Sequence, residues 1–318
     1  MNAPVSSLIP LDKRKFQNPA TTLDGAARAR VALTRLETLW FNTGTLCNIT
    51  CAHCYIESSP TNDRFVYLTL ADMQLFLDEI ARENYPVHTL GFTGGEPFMN
   101  PHFLPMLETG LAAGFSCLVL TNAMRPMQRK PILAALQRLA ARQAGTLHLR
   151  VSLDHYSQAR HDEERGAGSW ASTLDGCDWL AANKIAFSVA ARRRWNESED
   201  AARAGFVRLF RRRGWPLSAS PQDLILFPEM ETESDVPEIS AACWKKLGVS
   251  PQSPMCASQR MVVRRKGADA PSVLACTLLP YDARFELGRQ LKTAAKTVAL
   301  NHPTCARFCV LGGASCTG

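Results

Sequence analysis

The sequence predicts an α/β chain built on a parallel sheet, and two observations carry that expectation. Between residues 36 and 227, short β-branched and aromatic segments alternate with segments of helical apolar spacing. Polar clusters fall just after the strands, where α/β barrels and open α/β sheets place their sites. The 318 residues are 46% hydrophobic and 20% charged, ordinary globular material. That length suits one large α/β domain with an appendage, or two domains.

Residues 1–35 form a polar arm carrying Pro4, Pro10 and Pro19 and a short helix-like stretch at 25–30. The first strand, 36–41, contains Leu36, Trp40 and Phe41 and is broken by Thr43-Gly44. A cysteine loop follows, then a turn-rich stretch at 57–64. Thr69 caps a helix whose apolar positions are Met73, Leu75, Phe76, Leu77 and Ile80. The next strand, 87–92, ends in Thr93-Gly94-Gly95-Glu96-Pro97, and a helix covers 103–113. Strand 115–120 runs into Thr121-Asn122 and is followed by helix 130–142. Strand 146–153 runs into Ser152-Leu153-Asp154. Helix 169–183, strand 185–191, helix 197–213 and strand 223–227 complete the alternation, which stops near Pro228-Glu229.

The chemistry concentrates in the loop after the first strand, Cys47-Asn48-Ile49-Thr50-Cys51-Ala52-His53-Cys54, a C-x3-C-x2-C run. Three thiolates on one short loop can hold three irons of a [4Fe–4S] cube, which takes cysteine sulfur as ligand. A cube needs four ligands, so one iron stays open to something that is not protein, the mark of a chemical rather than a structural site. The alternatives are a zinc hairpin with His53 as a nitrogen ligand, or three reduced thiols with no metal. Zinc sites pair two spaced C-x2-C or H-x3-H units, which a single three-cysteine loop does not supply. Iron–sulfur is the better fit.

This loop resembles the signature of the radical S-adenosylmethionine (radical SAM) superfamily. The resemblance implies a partial (β/α)6 TIM-like barrel over residues 36–228 and an enzyme that binds a [4Fe–4S] cluster at Cys47, Cys51 and Cys54. The amino and carboxylate groups of S-adenosylmethionine would then chelate the open iron, and one electron would cleave the sulfonium to methionine and a 5′-deoxyadenosyl radical. Gly94, Gly95, Glu96 and Pro97 match the family's G-G-E-P motif, which lines the methionyl end of the cofactor. Thr121, Asn122, Ser152 and Asp154 resemble its strand-end polar residues. His161 to Gly166 also resembles the family, with Arg165 able to pair a carboxylate; a surface loop is the competing expectation for His161 and Asp162. Arg192 is placed to reach the cofactor's carboxylate, and Tyr55 directly follows the motif. Cys117 and Cys177 read as small core residues.

Residues 229–318 carry Cys243, Cys256, Cys276, Cys305, Cys309 and Cys316. Apolar stretches at 261–263 and 272–274 flank a turn and signal a hairpin; a helix-like stretch at 285–300 leads to the last cysteines. The arrangement resembles the SPASM and twitch extensions of the superfamily, which hold auxiliary clusters on a hairpin plus a helix. Its C-x3-C-x6-C spacing departs from the SPASM pattern, and Cys256, Cys276, Cys305, Cys309 and Cys316 suffice for one further [4Fe–4S] cluster, not two. Zinc on the same thiolates is the competitor.

Eleven cysteines without a secretory signal argue for metal over disulfides and for the cytoplasm. No apolar run approaches the ~20 residues that span a bilayer. The net charge of +7 comes largely from three arginine-rich runs without interleaved aromatics, which speaks against nucleic acid. The expected partners are a peptide or small-molecule substrate and an electron donor such as flavodoxin or ferredoxin. Peptide maturation is the first choice, by analogy with SPASM enzymes. The rival from another class, a non-catalytic iron–sulfur or zinc redox protein, has no use for the G-G-E-P loop and its companions.

Overall fold

The computed structural model describes residues 9–142, 145–229 and 233–314. Six parallel strands alternate with helices in chain order: β1 (Thr38–Asn42), α1 (Leu70–Glu83), β2 (Thr89–Thr93), α2 (Phe103–Ala112), β3 (Ser116–Thr121) and α3 (Lys130–Arg142). Then follow β4 (Leu147–Ser152), α4 (Gln158–Arg165), α5 (Ser169–Ala182), β5 (Phe187–Arg192), α6 (Glu199–Arg213) and β6 (Leu224–Phe227). Local chemistry accounts for the helix ends. Thr69 and Asp72 form a reciprocal capping box at the start of α1, and Asn84 closes it in the left-handed region at φ 53°. The inward faces of strands and helices merge into one apolar core that includes Phe41, Phe76, Phe92 and Phe103, packed ring against ring.

The C-terminal hairpin continues this sheet. Its strands, β7 (Gln259–Val263) and β8 (Ser272–Leu274), pair antiparallel, and β7 pairs parallel with β1, Thr38 opposite Gln259. The last strand of this sheet, β9 (Glu286–Gly288), lies on the far side of β8, giving the order β9-β8-β7-β1-β2-β3-β4-β5-β6. The sheet is therefore an open partial barrel, with β6 at one edge and the hairpin at the other. Across the joint, the Trp40 indole N–H donates to Gln259 Oε1 at 2.8 Å, and Arg264 pairs with Asp72 of α1 at 2.6 Å.

Residues 25–30 form no helix, being taken up by the isolated bridges of Ala27 with Thr21 and Arg28 with Ser240 and by the strand Arg30–Val31, and two further expectations need correction. Residues 285–300 do not form a helix. Gly288 turns the chain at φ 131°, and the buried Glu79 carboxylate of α1 captures the Leu291 and Lys292 amides at 2.9 and 3.0 Å. Val298–Ala299 then pairs with Arg30–Val31 of the arm. Tertiary partners override helical spacing here, and the helical segment lies later, a π-helix at Cys305–Leu311. The second correction is α4. A short, highly polar helix occupies the stretch where a surface loop was an alternative, and it buries His161 and Glu164. The arm is held to the C-terminal segment by the buried Arg28–Glu238 pair at 2.6 Å. No helix among the described residues is long and apolar enough to cross a membrane.

Candidate active site

The cysteine loop hangs from the C-terminal end of β1, and the loops after β2, β3, β4 and β5 converge on it. Together they wall a cavity of about 150 Å³ lined by Cys47, Cys51, Cys54, Tyr55, Gly94, Gly95, Thr121, Asn122, Ser152, Asp154, Arg165 and Arg192. The strands thus gather every candidate cofactor residue except Glu96 and Pro97 around one space. The three thiols are free. Among the described residues no three Cys, His, Asp or Glu side chains converge as a single metal ion requires; a cluster whose ligands sit on separate irons makes no such demand.

The G-G-E-P loop packs on the cysteine loop itself. A Cβ at Gly95 would meet the Leu46 carbonyl oxygen at 2.1 Å, and one at Gly94, where φ is 133°, would meet that of Gly44 at 2.5 Å. Glycine is required because two backbones touch, with Gly95 N donating to Gly44 O at 2.8 Å and Glu96 N to Leu46 O at 3.2 Å. Glu96 stands behind the wall, 1% exposed. Its carboxylate accepts from the Thr121 hydroxyl (2.9 Å), the Asn122 amide (2.9 Å) and the Phe98 amide (3.2 Å). Burial pushes its pKa up to about 7 against those hydrogen bonds. The side chain therefore ties the end of β3 to the loop after β2, and Pro97 starts a short 3-10 turn behind it. Asn122 in turn donates to Asn48 Oδ1 at 2.9 Å, next to Cys47.

The charges on the opposite wall are arranged in pairs. Arg165, the last residue of α4, grips Asp154 with two N–H groups, Nε to Oδ2 at 2.6 Å and Nη2 to Oδ1 at 3.2 Å. Burial alone would raise the Asp154 pKa, but the arginine's charge and hydrogen bonds hold it below the ordinary value. Burial also raises the Cys51 thiol, and the Arg165 charge pulls it back down. Cys47 has no such help, and burial pushes its thiol up to about 12. A metal that takes thiolate must supply the missing positive charge.

Glu164, one residue before Arg165, was not singled out by the sequence. It is 3% exposed and receives the His53 amide (3.0 Å), the His53 Nδ1 side (2.9 Å) and Arg192 Nη1 (2.6 Å). Its carbonyl accepts from Ala52 N at 2.8 Å, and Arg192 Nη2 reaches His53 O at 2.7 Å. Helix α4 thus grips the middle of the cysteine loop. A sequence signal existed, the acidic run before Arg165, but its i, i+1 spacing gave no reason to choose Glu164 over Glu163.

A family model described as the Radical SAM superfamily matches residues 41–190, which span the cysteine loop and all of these strand ends except those of Arg192 and β6. Residues 41–190 form a radical SAM domain. It is 24% identical over 172 residues to the AdoMet-dependent heme synthase of Oleidesulfovibrio alaskensis, covering 54% of this chain and 40% of that protein. It is 30% identical over 154 residues to the antilisterial bacteriocin subtilosin biosynthesis protein AlbA of Bacillus subtilis, covering 47% of this chain and 32% of that one. Among solved structures, Streptococcus suis SuiB bound to precursor peptide SuiA has the same fold at a TM-score of 0.59 and 12% identity, over 83% of this chain and 66% of that one. The matches span less than half the length of these two curated relatives.

Beyond the matched residues, the C-terminal thiols form a second group. Cys256 and Cys305 are each 8% exposed, and Cys276 and Cys309 are half-buried. Burial raises the Cys305 thiol well above its ordinary value, and the neighbouring Cys276 and Cys256 add to it, so strand ends and π-helix bring these three together. Cys309 is one turn further along the π-helix; Cys316 lies outside the described residues. Cys243 sits on a separate short helix with its Sγ 3.5 Å from Ser240 Oγ. Cys117 and Cys177 are fully buried in the core, as expected. Leu278 and Phe308, next to the thiol group, also line the first cavity, so the C-terminal segment closes part of its mouth.

Proposed function

We propose that this chain is an enzyme that binds a [4Fe–4S] cluster on Cys47, Cys51 and Cys54 and cleaves S-adenosylmethionine reductively. The observation that carries this reading is the shared cavity: three free thiols on one loop face Gly94, Gly95, Asn122, Ser152 and Asp154 across a single space. Those residues fit the group. When bound, cluster and cofactor supply a 5′-deoxyadenosyl radical that takes a hydrogen atom from substrate. The chain's own part is positioning. Glu164 and Arg192 hold the cysteine loop; Glu96 holds the loops after β2 and β3 together; Arg165 places positive charge beside Cys51. The exposed backbone of Gly94-Gly95 and the polar groups of Ser152 and Asp154 are available to the cofactor's ammonium and hydroxyl groups. Peptide is the substrate class we favour, because AlbA and SuiB, by their names, serve bacteriocin biosynthesis and bind a precursor peptide. A metabolite is the second reading, favoured by the likeness to a heme synthase.

We further propose that Cys256, Cys276 and Cys305, with Cys309 or Cys316, hold an auxiliary [4Fe–4S] cluster in a domain spanning 229–318. Arg260 supports this. It is 1% exposed, donates only to carbonyls (those of Ala294, Cys256, Gln259 and Lys296), and among the described residues has no carboxylate partner. The chargeable groups beside it are Cys256 and Cys276. A buried cation without a counter-charge costs several kcal/mol, and ligated thiolates would offset that cost. The test of the main reading is anaerobic: reconstituted protein with dithionite converts S-adenosylmethionine to 5′-deoxyadenosine, and Cys51→Ala does not. Equal turnover by that variant would sink the assignment.

A further inference from the structure

Two arginines stand close to the C-terminal thiols, and they are built differently. Arg284, near Cys305, is held by Asp282 at 2.6 Å and shares its charge with that carboxylate. Arg260, on β7, meets no acid among the described residues. Its Nε donates to Ala294 O at 2.9 Å, Nη1 to Cys256 O and Gln259 O at 2.6 and 2.7 Å, and Nη2 to Lys296 O at 3.3 Å. These bonds lock the guanidinium against the backbone of a thiol-bearing residue, and the chargeable groups it faces are Cys256 and Cys276. At the first site the arginines are answered by acid, Arg165 by Asp154 and Arg192 by Glu164. The second group has a fixed positive charge where the first has neutralised pairs.

Net charge, hydrogen bonds to sulfur and solvent exposure set the potential of an iron–sulfur cluster. Reduction adds one negative charge to a cube already ligated by thiolates. Burial opposes that step, because Cys256 and Cys305 are nearly shut off from the water that would solvate the added charge. A buried cation a few ångströms away favours it, and salt screens such a charge little. The Leu278 amide, donating to Cys276 Sγ at 3.3 Å, acts in the same direction with only a dipole. We propose that Arg260 is a positioning residue whose fixed charge raises the reduction potential of the auxiliary cluster, making the second thiol group an acceptor of single electrons. The cluster gains one electron from a one-electron reductant, and no bond to Arg260 forms or breaks. The proposal rests on the reading that these thiols hold a cluster, and its test separates the two.

The full chain lacking Cys47, Cys51 and Cys54 leaves only the second cluster. It is reconstituted anaerobically and titrated with dithionite through mediator dyes. The readouts are iron content and the electron paramagnetic resonance signal of the reduced cube against measured potential. In that parent, Arg260→Gln keeps hydrogen-bond donors and removes the charge. It should lower the reduced-to-oxidised ratio at fixed potential by about ten-fold or more, a downward midpoint shift of about 59 mV for one electron. Arg260→Lys, which keeps the charge, should lie close to the parent. Arg289→Gln, at an exposed arginine paired with Asp269, should match it. Equal midpoints in Arg260→Gln and the parent would overturn the proposal, as would a shift in Arg260→Lys as large as that in Arg260→Gln. Loss of iron from Arg260→Gln would also overturn it, because the guanidinium would then build the site rather than tune it. Absence of iron and sulfide from the parent would instead remove the cluster reading beneath it.

Discussion

The two thiol groups of this chain are built in opposite ways. Cys47, Cys51 and Cys54 come from one loop of eight residues, open to a cavity and braced from outside by Glu164, Arg192 and Glu96. Cys256, Cys276 and Cys305 come from three elements separated along the chain and are packed against core, beside the buried cation Arg260. The first arrangement leaves room for a ligand that is not protein. The second is closed on most sides. An exchangeable chemical site and a sequestered one differ in this way for a physical reason: ligand access needs an incomplete shell, whereas a fixed charge needs a complete one.

The largest expected effect breaks the comparison outright. A triple variant lacking Cys47, Cys51 and Cys54 should form no 5′-deoxyadenosine yet retain about four irons and four sulfides per chain, the stoichiometry of one cube. Zinc in place of iron, one equivalent without labile sulfide, would leave the barrel chemistry but remove an electron-transfer role for the second group. No metal at all would refute the auxiliary cluster. Conversely, Cys305→Ala should lose that iron while keeping cofactor cleavage.

A smaller effect tests the bracing. Glu96→Ala strands the Thr121 hydroxyl and the Asn122 amide, at about 1–3 kcal/mol for each buried donor left unsatisfied. Denaturant midpoint and S-adenosylmethionine affinity should fall together. A loss of affinity at unchanged stability would show that the carboxylate acts on the cofactor rather than through the loops. Glu164→Ala should leave folding nearly intact but speed iron loss to a chelator from the first group, with the second group unaffected. Equal loss from both would mean that α4 acts globally.

The smallest effect concerns pH. Burial lowers the pKa of His148, His161 and His302 to about 4, from the ordinary histidine value of 6.5. Each folded value lies below the unfolded one, so the folded state binds fewer protons between pH 6.5 and 4. Stability is therefore fully present above pH 6.5 and is lost as pH falls, by about 1.4 kcal/mol per pH unit per group. His161, whose two ring nitrogens have no hydrogen-bond partner among the described residues, is the cleanest test. His161→Phe should shallow the acid limb of a denaturation series, and an unchanged slope would show that another group sets it. Glu96 titrates with the opposite sign: its pKa is raised to about 7, so its contribution weakens as pH rises from 4.5 through 7. Glu96→Gln should remove that limb.

Sequence alone determined what is local in this protein. The C-x3-C-x2-C loop, the G-G-E-P loop, and Thr121, Asn122, Ser152 and Asp154 each lie within a few residues of a strand end. Backbone geometry fixes where such residues point. Tertiary structure decided what depends on partners far along the chain. Glu79 reaches 212 residues to Leu291 and cancels a helix that spacing alone would allow. Glu164 becomes the grip on the cysteine loop only because α4 folds back 111 residues to His53. Arg260 is one arginine among many in the sequence and a solitary buried cation only once β7 joins β1. Hydrophobic spacing and motif chemistry act over a few residues; the energetics of buried charges and captured backbone amides are set by whatever the completed sheet brings beside them.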